Sequence, residues 1–226
     1  PGLQLIADGQ LMADGARLRA TQLSAIEPWR DWLMTLVTID LADGSQAQLW
    51  LALWLVWQTG ETELTAAPPA ATTLSRVRRH ATPGLLCDAL ADQRFLHAML
   101  ELIGDQTEVP LGEGVLIGEA TTAYQRLTAD CAGEPVQIPR EDYGHSAALG
   151  DRLLLQRRPF DPGDRGAAGG GQDAAIEIRR YLTEVAGFAN TPALAGSISF
   201  RSGSGTAYPV AVLEEYVHNQ GHLRSF

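Results

Sequence analysis

The sequence predicts an α+β protein, with a β-rich first part followed by a part that mixes strands and helices. Two observations support this. All five tryptophans lie before residue 83, so the composition divides the chain near that point. Aliphatic residues alternate with a period of two in several short runs, which is typical of strands, while two segments have helical spacing. The 226 residues suffice for one large domain or two small ones.

The first part contains a predicted hairpin. Two apolar runs, residues 32–41 and 46–57, flank Ala42-Asp43-Gly44, and Asp-Gly between such runs favours a tight turn. Both faces of the second run are apolar, so we expect it to be covered on both sides. Residues 70–80 are predicted to form a short, arginine-rich helical stretch. Core or interface packing is favoured over sugar stacking for the tryptophans Trp29, Trp32, Trp50, Trp54 and Trp57.

The second part mixes helices and strands. Asp92 is a candidate N-cap for a helix over residues 93–103. A second helix is expected over 173–186, ended by Gly187, with a packing stripe of Ile176, Tyr181, Leu182 and Val185. The glycine-rich residues 161–172 are interpreted as a loop. Strands are expected at 114–117, 122–128, 146–149, 151–156, 195–201 and 209–216.

Charge and composition exclude several partner classes. The formal net charge is −10, and all 17 positive side chains are scattered arginines, which argues against nucleic acid and against anionic membrane surfaces. Apolar runs of membrane-spanning length and a signal peptide are not recognised. Cys87 and Cys131 are far apart, so reduced thiols in a cytoplasmic protein are predicted.

Several long segments together resemble the maltokinase family, most strongly the kinase portion fused to trehalose synthase in some bacteria. Residues 174–198 contain Glu-Ile-Arg-Arg-Tyr-Leu-Thr-Glu at 177–184, which is similar to a signature helix of the family. Residues 211–221 are similar to its hinge strand. The N-terminal match comprises residues 29–44, 68–69 and 84–90, so the resemblance covers nearly the whole chain.

The resemblance implies a β-rich N-terminal cap over residues 1–83 and a kinase-like intermediate subdomain, or N-lobe, over 84–217. In such an N-lobe an antiparallel sheet packs against a helix. Residues 218–226 would then begin a linker to a missing C-terminal kinase lobe. The family uses ATP and Mg²⁺ to phosphorylate maltose. Its His-Gly-Asp catalytic motif does not occur in the sequence, so the catalytic C-lobe is expected to be absent and no residue is assigned as catalytic.

The same resemblance assigns a nucleotide site. Glu177 matches the helix carboxylate that orients a strand cation, although an exposed residue paired with Arg179 or Arg180 is the alternative interpretation. The hinge would offer backbone groups to adenine. The residues assigned to the site are Glu141, Ser146, Gln156, Arg158, Glu177, Glu215 and Val217.

Two departures from the family concern the ATP phosphates. The position of the phosphate-holding lysine is occupied by Gln156, which is neutral. Arg158 shares a face of the strand with Gln156 and is the better candidate for a replacement cation, whereas Arg157 points to the other face. Asp142 adds a negative charge to the preceding loop, where phosphates would lie.

Three hypotheses about function remain open. The first is a maltokinase-like N-terminal region of trehalose, maltose 1-phosphate and glucan metabolism that is not catalytic as this chain. The second is a free-standing interaction module that binds trehalose synthase or another glucan-pathway enzyme; exposed aromatic surface on the cap would favour it. The third is an active maltokinase whose cation is an arginine and whose C-lobe lies outside this chain.

Overall fold

The computed structural model describes residues 18–57, 72–129, 131, 135–137, 146–161 and 174–217. Their first part forms a five-stranded antiparallel sheet, in the order β1-β2-β3-β5-β4. The strands are β1 (Leu18–Trp29), β2 (Trp32–Leu41), β3 (Gln46–Trp57), β4 (Thr73–Arg79) and β5 (Thr82–Asp88).

The later residues form a seven-stranded antiparallel sheet, in the order β6-β7-β11-β12-β10-β9-β8. Its strands are β6 (Glu108–Leu111), β7 (Gly114–Ala120), β8 (Val136–Gln137), β9 (Ser146–Leu149), β10 (Leu153–Arg157), β11 (Leu194–Arg201) and β12 (Ala207–Glu215). The helices are α1 (Gln93–Gly104), α2 (Tyr124–Thr128) and α3 (Ala174–Glu184), and a 3₁₀ turn spans Ala89–Ala91.

The predicted α+β class with a kinase-like N-lobe is wrong. Of the described residues, 54% lie in strands and 20% in helices, and the two antiparallel sheets are curled. The prediction gave too much weight to helical spacing in short segments. Most of the described residues instead belong to strands that pair across long separations in the sequence. The apolar packing expected of the second helix is also largely missing, as described below.

Two local predictions of secondary structure are wrong. Residues 70–80 were expected to be helical, but β4 pairs with β5 along its length. Its arginines Arg76, Arg78 and Arg79 are exposed on the outermost strand of the sheet, where charged side chains are tolerated. Residues 122–128 were expected to be a strand, but their C-terminal part forms α2, in which Tyr124 and Leu127 are buried.

The hairpin and the first helix are confirmed. Strands β2 and β3 pair in register from Trp32 and Trp54 to Asp40 and Gln46. Gly44 has a φ of 87° in the turn, which a glycine adopts without steric cost. The Asp92 side chain accepts a hydrogen bond from the Arg94 backbone N–H and so caps α1.

One apolar core includes residues of both sheets. Helix α1 contributes Phe95, Met99 and Ile103, all essentially inaccessible to solvent. A Cβ at Gly118 of β7 would collide with the Leu102 carbonyl group of α1, so this glycine allows the helix to approach the strand. Trp32 and Trp50 belong to the same core, which confirms packing for these two tryptophans.

Strand β5 crosses the predicted domain boundary. The boundary after residue 83 falls inside Thr82–Asp88, and this strand pairs with β3 and β4 of the first sheet. The end of β5 is also joined to the second sheet, because Arg157 of β10 donates hydrogen bonds to both carboxylate oxygens of Asp88. The sheets are therefore linked by a buried ion pair as well as by apolar packing.

Candidate functional site

The Gln156 position lies in a row of paired residues that crosses five strands. Gln156 of β10 pairs with Ser146 of β9 and with Val212 of β12. Val212 pairs with Ser197 of β11, which pairs with Glu119 of β7. Directly paired residues of an antiparallel sheet point to the same face. The row therefore defines one polar-rich face of the second sheet.

Helix α3 covers part of this face. Ile176 is the one buried residue of the helix, and it forms a small apolar cluster with Leu194 and Val212. The Thr183 hydroxyl oxygen accepts a hydrogen bond from the Leu194 backbone N–H at 3.0 Å. Gly187 follows the helix with a φ of 56°, as expected for a residue that ends a helix.

Charged side chains make the other contacts between α3 and the sheet. Arg179 pairs with Glu214 of β12, and Arg180 Nη2 lies 2.9 Å from Glu119 Oε2 of β7. These arginines lie three and four residues after Ile176, and such spacing places them on the same side of the helix. The inward side of α3 therefore carries one apolar anchor and two cations.

The predicted packing stripe of α3 is confirmed for Ile176, and Leu182 is half-buried, but the prediction is wrong for Tyr181 and Val185, which are exposed. Ile178 and Phe188 are exposed as well. Arg179 and Arg180 occupy the side of the helix next to the sheet, where they pair with Glu214 and Glu119. Tyr181 and Val185 reach only the edge of the cleft beside the sheet and stay mostly exposed.

Glu214 is the buried charge of this face. Burial raises the pKa of its carboxyl group, and the nearby Arg179 and Arg158 guanidinium groups offset part of that increase. The side chain of Glu214 is 11% exposed. Arg158, the candidate replacement cation, therefore acts electrostatically on a protein carboxylate.

The assigned nucleotide residues are only partly brought together. Ser146 and Gln156 are register partners, but Ser146 is fully buried. At the hinge, Glu215 N–H donates to the Ala193 carbonyl, and the Glu215 carboxylate lies 3.4 Å from the Ala193 amide. Glu141 lies outside the described residues.

Val217 is the last of the residues assigned to the hinge, and it is more exposed than the two residues before it. Tyr216 N–H donates to the Arg152 carbonyl, so two successive hinge amides are used within the protein. Val217 is exposed. Sequence reasoning had assigned the hinge backbone to adenine, and Val217 is the assigned hinge residue whose surroundings leave it accessible.

The described residues around Gln156 do not fit the phosphates of ATP. The strand carries no cation at this position, and Arg158 and Arg179 both act on Glu214. Arg157 points to the opposite face, where it binds Asp88. Among the described residues, no group of three or more His, Cys, Asp or Glu side chains could hold a metal ion.

Glu177 lies on α3, in a cleft whose lining does not include Gln156. It lines this cleft of about 490 Å³ between α3 and the sheet, together with Glu119, Arg180, Ser197 and Ser199. Glu177 is exposed, as the alternative interpretation expected, but the two arginines pair with Glu214 and Glu119 instead of with it. Sequence reasoning missed the cleft, although serines alternate with Ile198 and Phe200 in β11.

Two comparisons with known proteins could have assigned the chain to a family, and neither found a match. The chain matches no protein-family model, and no curated protein is significantly similar to it. None of the helices in the described part of the chain is long and apolar enough to cross a membrane. The resemblance to maltokinases therefore rests on the sequence segments alone.

Proposed function

We propose that this chain is a non-catalytic protein-binding module of trehalose and maltose 1-phosphate metabolism, and that it docks trehalose synthase. The observation that carries the proposal is the outward face of α3. Ile178, Tyr181 and Val185 are 59, 58 and 68% exposed, respectively. We call these three residues the α3 stripe.

The α3 stripe reverses the usual orientation of a surface helix. Such helices normally turn their apolar side toward the core and their charged side toward water. Here Arg179 and Arg180 bind carboxylates of the sheet, while the stripe faces solvent at helical spacing. Phe188, just after the helix, is 47% exposed as well. Large apolar side chains exposed together on one side of a helix are typical of interaction sites.

The first sheet offers a weaker candidate for the docking surface. Exposed aromatic surface there would have favoured docking through the predicted cap, but Trp32 and Trp50 are buried. Trp29 and Trp54 are partly buried and pack against the same core. The exposed apolar surface on α3 therefore supports a partner that contacts the second sheet's helix.

The non-catalytic part of the proposal follows from the surroundings of Gln156. A phosphoryl-transfer site needs positive charge positioned against the phosphates. Arg157 pairs with Asp88, and Arg158 lies close enough to Glu214 to lower the pKa of its carboxyl group. The resemblance to a kinase portion fused to trehalose synthase makes that enzyme the first partner to test, and a separate maltokinase C-terminal lobe the second.

Binding of the purified chain to immobilised trehalose synthase would test the proposal by biolayer interferometry. We expect the variant Ile178→Ser/Tyr181→Ser/Val185→Ser to lose binding. The matched control is Leu23→Ser/Ile26→Ser, which removes two apolar side chains of β1 that are 53 and 46% exposed. This control should bind as the unmodified chain does.

Two results would contradict the proposal. The first is no binding of trehalose synthase, particularly if a maltokinase C-terminal lobe binds instead. The second is binding that both variants retain, because the α3 stripe would then not be the contact surface. Circular dichroism of each variant would verify that the sheets remain folded.

A further inference from the structure

Strand β4 is an outer strand of the first sheet and presents an open edge. It pairs with β5 from Thr73 to Arg79, and no other described segment makes a backbone hydrogen bond with it. An unpaired strand edge offers a row of N–H and C=O groups, to which an extended peptide can add a further strand. We infer that this edge binds an extended acidic segment of a protein partner by strand addition. This site is separate from the α3 stripe, because β4 belongs to the first sheet.

Three arginines of β4 have no carboxylate partner within the described part of the chain. Arg76, Arg78 and Arg79 are exposed, and none of them forms a salt bridge there. Arginines elsewhere in the fold do pair with Asp or Glu, namely Arg30, Arg94, Arg157, Arg179, Arg180 and Arg201. The β4 edge is therefore an uncompensated basic surface in a chain whose formal net charge is −10.

The neighbouring strand adds no negative charge beside these arginines. Arg76 and Arg78 lie two residues apart on one face of β4, and their register partners on β5 are Leu85 and Pro83. Two residues along a strand span about 6–7 Å, and like charges at such a separation repel each other. Carboxylates placed beside the two arginines would relieve this repulsion, so the edge favours an acidic strand.

Arg78 is partly ordered before any partner binds. Its Nε donates a hydrogen bond of 2.8 Å to the His80 carbonyl oxygen, in the turn that follows the strand. Its Nη1 and Nη2 groups can both donate to one carboxylate, which is the geometry that arginine favours. Because this side chain is already held at one nitrogen, ordering it on binding costs less conformational entropy.

The same features disfavour two other occupants of the edge. A second copy of β4 would place arginines against arginines, so self-pairing is repulsive. A nucleic acid would meet the arginines but would gain nothing from the backbone N–H and C=O groups of the strand. An extended acidic peptide uses both, since its backbone pairs with the edge while its alternating carboxylates meet the arginines.

A pair of matched peptides separates charge from shape. The acidic probe is fluorescein-labelled Thr-Glu-Val-Glu-Val-Glu-Thr, and its control has Gln in place of every Glu. We would titrate the full chain into each peptide and follow the fluorescence anisotropy. Saturable binding is expected for the acidic peptide, and binding at least about tenfold weaker for the Gln peptide, because several exposed ion pairs are lost together.

Methylation of the peptide backbone tests strand addition. Two forms of the acidic peptide would carry N-methyl groups at alternate residues, one form in each of the two possible registers, because alternate amides of a strand face the same neighbour. At least one form should lose binding, since its methyl groups remove the hydrogen bonds to β4. Amide hydrogen exchange of β4 should slow when the unmethylated peptide is bound.

The variant Arg76→Gln/Arg78→Gln should bind the acidic peptide at least about fivefold more weakly, because both cations of one face are removed. The matched control is Arg19→Gln/Arg126→Gln, which removes two exposed arginines from β1 and α2 and should bind as the unmodified chain does. These four positions lie outside the α3 stripe, so this test can fail while the docking of trehalose synthase holds, and the reverse.

Four results would overturn the inference. Equal affinity for the Glu and Gln peptides would show that the arginines do not select the partner. Binding that both methylated forms retain would mean that charge alone holds the peptide. Tighter binding of an oligothymidylate of equal length would assign the arginines to nucleic acid. An absence of saturable binding up to the millimolar range would show that the edge accepts no acidic segment.

Discussion

Arg157 and Asp88 form a buried, bidentate ion pair between the two sheets. Arg157 Nη1 donates to Asp88 Oδ1 at 3.2 Å, and Nη2 donates to Oδ2. The two side chains are 1 and 3% exposed. Asp88 Oδ1 also accepts a hydrogen bond from the Leu90 backbone N–H, so it fixes the 3₁₀ turn that precedes α1. The pair thus ties β10, β5 and the start of the first helix together.

Loss of one member of this pair should destabilise the fold strongly. In Asp88→Leu the Arg157 charge stays buried without its carboxylate, and we expect the free energy of unfolding to fall by about 3–5 kcal/mol. The double variant Asp88→Leu/Arg157→Leu should lose clearly less than the sum of the single losses, because no lone charge remains. Urea denaturation followed by tryptophan fluorescence measures all three.

The exposed Asp31–Arg94 contact is the control for the buried pair. Its side chains are 69 and 59% exposed, so Asp31→Leu should cost about 0–1 kcal/mol. Similar losses for Asp88→Leu and Asp31→Leu would contradict a structural role for the buried pair.

The orientation of α3 predicts a contrast within one helix. Tyr181→Ser and Val185→Ser should each change the free energy of unfolding by no more than about 0.5 kcal/mol, since both side chains face solvent. Ile176→Ala should cost about 2–5 kcal/mol at most, because Ile176 is buried against Leu194 and Val212. Urea denaturation would measure the free energy of unfolding of the three variants. Large losses at Tyr181 and Val185 would mean that the helix packs its apolar side inward.

Glu214 predicts a pH-dependent stability. Burial raises its folded-state pKa above the usual 4.5, so the folded protein binds this proton more tightly than the unfolded chain. The stabilising contribution is therefore complete below the unfolded pKa and is lost as pH rises through the folded pKa. Relative to Glu214→Gln, the unmodified chain should become less stable as pH rises above 4.5.

Urea midpoints of the two proteins at several pH values test this sign, with Glu113→Gln, in an exposed turn, as a reference for a surface glutamate. A stability difference that instead grows with pH would mean that Arg179 and Arg158 outweigh burial, and that the pKa of Glu214 is lowered.

Calorimetry with Mg-ATP should show no micromolar binding. The reason is the neutral Gln156, together with the ion pair of Arg157 with Asp88 and the proximity of Arg158 to the Glu214 carboxylate. A micromolar Kd would contradict the non-catalytic proposal. If that binding were then lost in Arg158→Ala, Arg158 would be the replacement cation, and the hypothesis of an arginine-dependent maltokinase would gain support.

Local features of the chain were predictable because neighbouring residues decide them. The Asp43-Gly44 turn joins β2 and β3, and Asp92 caps α1, as their short-range patterns indicate. The Gln156 position was also placed on its strand, with Arg157 correctly directed to the other face. The row of partners around Gln156 was not predictable, because it is assembled from strands far apart in the sequence.

The sequence by itself determined the hairpin, the first helix and most strand positions, because their turn residues and apolar periods act over a few residues. Only the tertiary structure decided which side of α3 faces inward. Its pattern allowed an apolar side or an arginine side to meet the sheet, and Glu119 and Glu214 on β7 and β12 favoured the arginines. Because the arginine side of α3 pairs with these glutamates, the apolar side chains of the helix stay exposed, and a cleft stays open between the helix and the sheet.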